Sequence, residues 1–414
     1  MLRSLFSAVS GLRSHQTMMD VIGNNIANVN TTGYKSSQTV FEDTLSQAIR
    51  NSGGAAQGGG GTNAAQVGLG VKVAGITTNF TQGSTQVTGR QGDMAIQGDG
   101  FFVVQRDGQT MYTRAGAFSF DALGNLTTPE GATVQGWPAA NGRIDTNTST
   151  TGLRLPFGQV LPPKETANID LGGNLPADAA VGATVTHGID IVDGQGRTVP
   201  ATTTYTKTAA NAWTATTTVP GSNGSPVTVG TTNLTWNPAT EKFNTDTMTL
   251  SSAAMGTAGY SFGANVTMTI GGDQTPLTQY AGQSSAAART QDGTTMGQLQ
   301  SFTMDTNGVL IGVFSNGLTE KLGQVAVANF ANPGGLEKAG DSMYRNSANS
   351  GQPQVGIAGS GGRGLLNSGV LEMSNVDLAQ EFTNLVVAQR GFQANSRVIS
   401  ASDEILQDLV NLKR

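Results

Sequence analysis

Residues 374–414 read SNVDLAQEFTNLVVAQRGFQANSRVISASDEILQDLVNLKR, and the spacing of their apolar side chains decides how the chain is organised. Leu378, Leu385, Phe392, Ile399 and Leu406 recur every seven residues, flanked by Phe382, Val386, Val398, Ile405, Leu409 and Leu412. That period predicts one long helix with an apolar seam. Ser374-Asn375-Val376-Asp377 ahead of it fits a capping box, whose hydroxyl and carboxylate satisfy the free amides of a first turn. Continued to Lys413, the helix would be about 55 Å long. Gln389, Ser396 and Asp403 fall at alternate seam positions, which suits a bundle with many neighbours better than a lone pair.

The opposite end carries the same pattern. Leu2, Leu5, Val9, Leu12, Met19, Ile22, Ile26 and Val29 follow steps of three and four, with one beat missing at Gln16. The plainer reading is one antiparallel helix pair inside a globular domain. The sharper one is coiled-coil association of 1–29 with 374–414, within a chain and between chains, ordering on assembly.

Between the ends the period falls from seven to two. Phe101-Phe102-Val103-Val104-Gln105-Arg106, then Asp107-Gly108, then Met111-Tyr112-Thr113-Arg114 is a buried strand, a tight turn and a return strand. A second β-rich block runs from about 298 to 330, with turns at Asn307-Gly308 and Asn316-Gly317. The stretch 147–286 is rich in Thr and poor in Leu, a composition for half-buried strands. The expected fold is mainly β with α-helical termini, in a nested order. A terminal coiled-coil helix pair (1–29, 374–414) encloses a discontinuous antiparallel β-domain (71–146, 287–358), which holds an inserted outer β-domain (147–286). Segments 30–70 and 359–373 connect them, their glycine runs at 53–61 and 359–364 read as flexible linkers.

Composition removes several functions. The chain has 414 residues, enough for two or three domains, with 57 Gly and only 12% charged residues. A net charge of −5 without a basic cluster argues against nucleic acid. No run of about 18 apolar residues predicts a membrane span. The first residues lack the uninterrupted apolar core and cleavage site of a signal peptide. With no cysteine there are no disulfides, thiolate metal sites or thiol nucleophiles. His15 and His187 are too few and too far apart for a metal centre.

No motif asks for catalysis. Gly359-Ser360-Gly361-Gly362-Arg363-Gly364 has the dinucleotide spacing but lacks the strand before it and the helix after it. Asp190, Asp193-Gly194 and Asp305 with Asn307-Gly308 lack the spaced oxygens of a calcium loop and read as turns. His187 has no nucleophile elbow beside it. No catalytic residue, metal or cofactor is expected.

Several motifs resemble those of the bacterial flagellar rod and hook proteins. One runs from Asp20 to Lys35 and contains Gly23, Asn24, Asn25, Ala27, Asn28, Asn30, Thr31 and Gly33. A second is Ser374–Phe382 with Gln389, Arg390, Gly391 and Asn395. Others are Gly98–Val104, Tyr112–Phe118, Gln135-Gly136-Trp137 and Gly335–Tyr344. The large insert and the closing stretch from Gln393 resemble hook more than distal rod subunits. The resemblance implies a homopolymeric, hollow, curved tube that transmits torque from rod to filament. It implies as partners the distal rod, hook cap and hook–filament junction proteins and the flagellar type III export apparatus, without a cleaved signal peptide. The assembly seam would comprise Leu5, Val9, Leu12, Ile22, Ile26, Leu378, Phe382, Leu385, Phe392, Ile399, Leu406 and Leu409. Phe41 to Leu45 resembles a short motif for docking at the export gate; a helical core pair one turn apart is the alternative. A distal rod subunit and, from another class, a secreted β-rich adhesin are the competing functions; the paired amphipathic ends have no use in an adhesin.

Overall fold

Both terminal stripes form helices. In the computed structural model, which describes residues 2–54, 60–140, 142–156, 158, 160–270 and 276–411, α1 spans Leu2–Ala27, a short α2 spans Ser252–Thr257 and α3 spans Leu378–Asn411. The 34 residues of α3 make it about 51 Å long. Its start differs from a capping box. Asp377 itself is the cap, its Oδ1 accepting from the amides of Ala379 at 2.9 Å and Gln380 at 3.2 Å. Ser374 lies too far upstream to reach the first turn, and its hydroxyl accepts from Val376 instead. Leu412, Gly58 and Asn141 lie outside the described residues.

The chain divides into two compact units, one within Met1–Leu155, Phe302–Gly312 and Glu320–Arg414, the other within Pro156–Ser301 and Val313–Thr319. In the first, Phe101–Arg106 and Gln109–Thr113 form the expected hairpin, with Asp107 (φ 51°) and Gly108 (φ 77°) as its two-residue turn. Thr133–Ala140 and Val327–Asn329 pair with the first of these strands, and Met343–Arg345 with the second. Why four apolar residues run together is now plain. Phe102 and Val104 join one core with Met94, Phe118 and Leu153, while Phe101 and Val103 join another with Tyr112, Trp137 and Tyr344. A strand covered on both faces has no polar side to alternate with.

Two boundaries move, and the connecting segments take on structure. Residues 147–155 belong to the first unit, because Thr151–Gly152 pairs with Thr133–Ala140 and Leu153 and Leu155 are buried there. Residues 287–301 belong to the second, because Ala287–Gln291 pairs with Asn168–Asn174. The connecting segments are themselves sheet: Ser37–Asp43 pairs with Val71–Thr78, Ser46–Arg50 with Ala65–Gly68, Leu365–Ser368 with Met94–Gln97 and Val370–Glu372 with Thr85–Val87. Glycines 359–364 are likewise a turn and no linker. The Gly364 amide donates to the Asp99 carbonyl, and the Arg363 guanidinium donates to the carbonyl of Ile357 at 2.9 Å.

The second unit holds a five-stranded meander, Thr184–Val192, Thr198–Ala209, Ala212–Pro220, Pro226–Asn237 and Lys242–Phe243, with a second sheet around Asn168–Asn174. Ala201, Tyr205, Trp213, Ala215 and Leu234 point into its core, and the alternate threonines point out. The inward Thr203 and Thr217 hydroxyls bond each other at 2.8 Å, so neither is buried unpaired.

Candidate assembly interface

Three contacts set α1 and α3 antiparallel in one register. A Cβ added to Gly11 would lie 2.8 Å from Asn395 Nδ2, and one added to Gly391 would lie 2.5 Å from His15 Nε2. The Asn25 amide donates to Glu381 Oε1 at 3.1 Å. Each step forward on α1 is matched by an equal step back on α3, so Leu2 stands level with the residues just before Ile405.

The seam is built from smaller side chains than the heptad of leucines implies. Ala8, Gly11, Ser14, Ile22 and Asn25 are the buried residues of α1, and Ala388 and Ser402 those of α3. Leu5, Val9, Leu12 and Ile26 on α1, and Leu385, Phe392, Ile399 and Leu406 on α3, flank this seam half-buried. The alternate positions of α3 are therefore Ala388, Asn395 and Ser402, one residue before Gln389, Ser396 and Asp403, which are exposed. Close approach at Gly11 and Gly391 turns the small residues inward and the large ones aside. Leu378 and Phe382 lie outside the intramolecular seam, 40% and 52% exposed. At that end the contact between helices is the polar Asn25–Glu381 pair. The side chain of Leu409 lies outside those described.

Where the helices meet the β-structure, the motif residues form a polar joint. Gly33 sits at φ 67° against the Arg114–Ala115 backbone, and its amide donates to the Glu372 carbonyl at 2.8 Å. Lys35 is fully buried; its Nζ donates to Glu372 Oε1 and to the Thr81 carbonyl, both at 2.7 Å. Arg114 reaches Glu372 Oε2 at 3.4 Å from over the Phe101 ring. Burial lowers the pKa of both cations, and Glu372 opposes that shift. Asn375 Oδ1 accepts from the Ser36 amide at 2.8 Å, while its Nδ2 donates to the Asn79 carbonyl. One cluster thus ties the exit of α1 to the approach of α3.

The other motif residues divide. Asn24, Asn28 and Thr31 bond one another in the last turn of α1 and beyond it. Gly23, Ala27, Asn30, Gln389 and Arg390 are exposed, and a Cβ on Gly23 would meet nothing within 4 Å. Phe41 and Leu45 are not a helical pair: Phe41 lies in a strand with its ring edge against His15, 5.8 Å between centroids, and Leu45 is 80% exposed. His187 stacks on Tyr205 in the second unit, and burial lowers its pKa. Asp193 accepts from the amides of Gln195 and Arg197 within its turn. Among the described residues no helix is long and apolar enough to cross a membrane.

Glu372 lies outside every motif of the sequence, and apolar spacing gives Arg114 and Glu381, which lie inside two of them, no separate role. Their signal was scarcity: in a chain with few charges, Lys35 and Arg114 lie inside the recurring motifs and Glu372 two residues before one.

Comparison with known proteins agrees along the whole chain. Residues 5–35 match the family of flagella basal body rod proteins, 95–174 the D1 domain of flagellar hook protein FlgE/F/G, and 367–412 the C-terminal region of the flagellar basal body rod FlgEFG proteins. The chain is 40% identical to the flagellar hook protein FlgE of Borreliella burgdorferi and 39% to that of Treponema pallidum, each over all of both chains. It is 33% identical to the flagellar basal-body rod protein FlgG of Bacillus subtilis, again over all of both. The crystal structure of Helicobacter pylori flagellar hook protein FlgE2 shares the fold, with a TM-score of 0.54 at 16% identity, covering 70% of this chain and 100% of that one.

Proposed function

This chain belongs to the family of flagellar hook and basal-body rod proteins, and from that premise we propose that it polymerises into the hook, the flexible hollow tube between rod and filament. The hook proteins at 40% and 39% identity, against 33% for the rod protein, favour the hook. Its place is the flagellum and its role structural, in motility.

The observation that carries polymerisation is what the helix pair leaves uncovered. Phe6, Phe382, Val386, Val387, Val398 and Ile405 are 42–67% exposed on α1 and α3. Full burial of such a side chain contributes about 1.5–3 kcal/mol, which the small-residue seam forgoes and neighbouring copies would supply. Salt-induced polymerisation followed by electron microscopy tests this. The full chain should give tubes, and a truncation lacking 1–29 and 374–414 should stay monomeric. Folded monomers from both would overturn the reading in favour of a secreted binding protein.

Further partners follow by the same proposal: the distal rod, the hook cap, the hook–filament junction proteins and the type III export apparatus, which passes the chain without a cleaved signal peptide. Phe41 and Leu45 would dock the unfolded subunit at the export gate. Leu45 is so exposed that Leu45→Ala leaves the fold alone. With Phe41→Ala it should trap subunits in the cytoplasm, read by immunoblotting cells against supernatant. Normal secretion of the double variant would remove the idea.

A further inference from the structure

Asn25 is the one asparagine of its motif that is fully enclosed, and both atoms of its carboxamide are used twice. Oδ1 accepts from the Ser37 amide at 3.0 Å and from the Tyr34 hydroxyl at 3.1 Å. Nδ2 donates to the Ser37 carbonyl at 2.8 Å and to Glu381 Oε1 at 3.1 Å. Toward Ser37 the side chain behaves as a strand residue, exchanging both bonds of a β-bridge with its backbone. Toward Glu381 it is a single donor. The same group therefore holds the first residue of Ser37–Asp43 and the first turn of α3.

The other side of the contact is incomplete. Glu381 Oε2 is shut off from solvent and has no hydrogen-bond partner. The groups around the carboxyl are Asn25 from α1, the Tyr34 hydroxyl from the segment after it, and Asp377, the cap of α3. Lys338 stands beyond, over the Tyr34 ring and bonded to the Ser37 hydroxyl. Burial raises the pKa of Glu381, Asp377 adds to the rise and the Asn25 bond opposes it.

We propose that Asn25 is the positioning residue of the assembly domain: it fixes the register of α1 against α3 and the departure of both helices from the β-structure, by donating to Glu381 while pairing with the Ser37 backbone. The flanking leucines and valines give adhesion without a unique register, since a shift of seven residues would overlay one stripe on the next. Close approach at Gly11 and Gly391 favours the same alignment, and the buried Asn25–Glu381 contact fixes it at the end where both helices leave the β-structure. The inference rests on the hook reading for its consequence in the polymer, and on the helix pair alone for its geometry.

The test uses Asn25→Asp, which keeps the shape, removes the bonds donated to the Ser37 carbonyl and to Glu381, and sets a second carboxylate beside the first. At about pH 7.5 the two repel; at about pH 5 a shared proton between coupled carboxyls restores a bond across the contact. Asn25→Ala can regain nothing. The chain has no native cysteine, so spin labels at exposed Gln16→Cys and Gln393→Cys report the distance across the pair in the full-length protein. The expected distribution is narrow for the parent at both pH values, broad for Asn25→Asp at the higher and narrow at the lower, and broad for Asn25→Ala throughout. Near-ultraviolet circular dichroism of Trp137, Trp213 and Trp236, all in the β-structure, verifies that the β-units stay folded. A narrow distribution for Asn25→Ala, or one for Asn25→Asp that stays broad at the lower pH, overturns the proposal. Narrow parental distances without tubes on salt addition would instead refute the hook reading.

Discussion

Glu372→Ala should cost the first unit about 3–5 kcal/mol, a large part of the stability of any single domain. The reason is what it leaves behind. Lys35 is fully buried and Arg114 nearly so, and Glu372 is the carboxylate that both reach. Neither cation can swing out to solvent, because Lys35 Nζ is also held by the Thr81 carbonyl and Arg114 lies over Phe101. The Gly83 amide, which donates to Glu372 Oε1 at 2.9 Å, loses its acceptor as well. Removing Lys35 and Glu372 together, as Lys35→Met with Glu372→Met, should recover part of the loss because one stranded charge goes with its partner. Hydrogen exchange reads this directly. Protection in Phe101–Arg106 should fall for the single variant and return partly for the double, with Ala212–Pro220 in the second unit as the unaffected reference. Equal loss in single and double variants would make the cluster ordinary packing.

Gly391→Ala sets two effects against each other. Alanine favours a helix over glycine by about 1 kcal/mol. Against it, the added methyl would fall 2.5 Å from the His15 ring, and overpacking of that kind costs about 1–3 kcal/mol. His15 cannot yield freely, since Phe41 meets its ring from the strand beside α1. The clash should win: helix pairing weakens and tube yield drops. The second substitution His15→Ala then restores both and exposes the helix-forming gain. Thermal melts followed at 222 nm would check the pair. A single variant at least as stable as the parent would show that α1 and α3 have room to part there.

These two sites show what the sequence made legible. Periodicity located both helices, and the Asp107-Gly108 turn between apolar runs located the central hairpin, because each is a local pattern with one physical meaning. The face of each helix was harder. Leu378 and Phe382 lie in the most regular stripe yet stand outside the seam, while Gly11, Ala388 and Ser402 have little hydrophobicity and fill it. A seam of small residues is chosen by close approach, and close approach depends on the partner. The glycines of 359–364 misled for a related reason. They were read by composition, but a carbonyl of Asp99 and a guanidinium from Arg363 turn them into a packed corner.

The Lys35–Glu372 bond joins residues 337 positions apart. Synthesis proceeds at about 5–20 residues per second, so Lys35 waits roughly 20–70 s on the ribosome before its counter-ion exists. The second unit draws all its strands from residues 156–319 and is finished earlier in translation. The first unit cannot close until Glu372 and α3 have been made. Lys35 and α1 therefore wait for their partners long after the middle of the chain has been made, although the strands of 37–78 can pair among themselves.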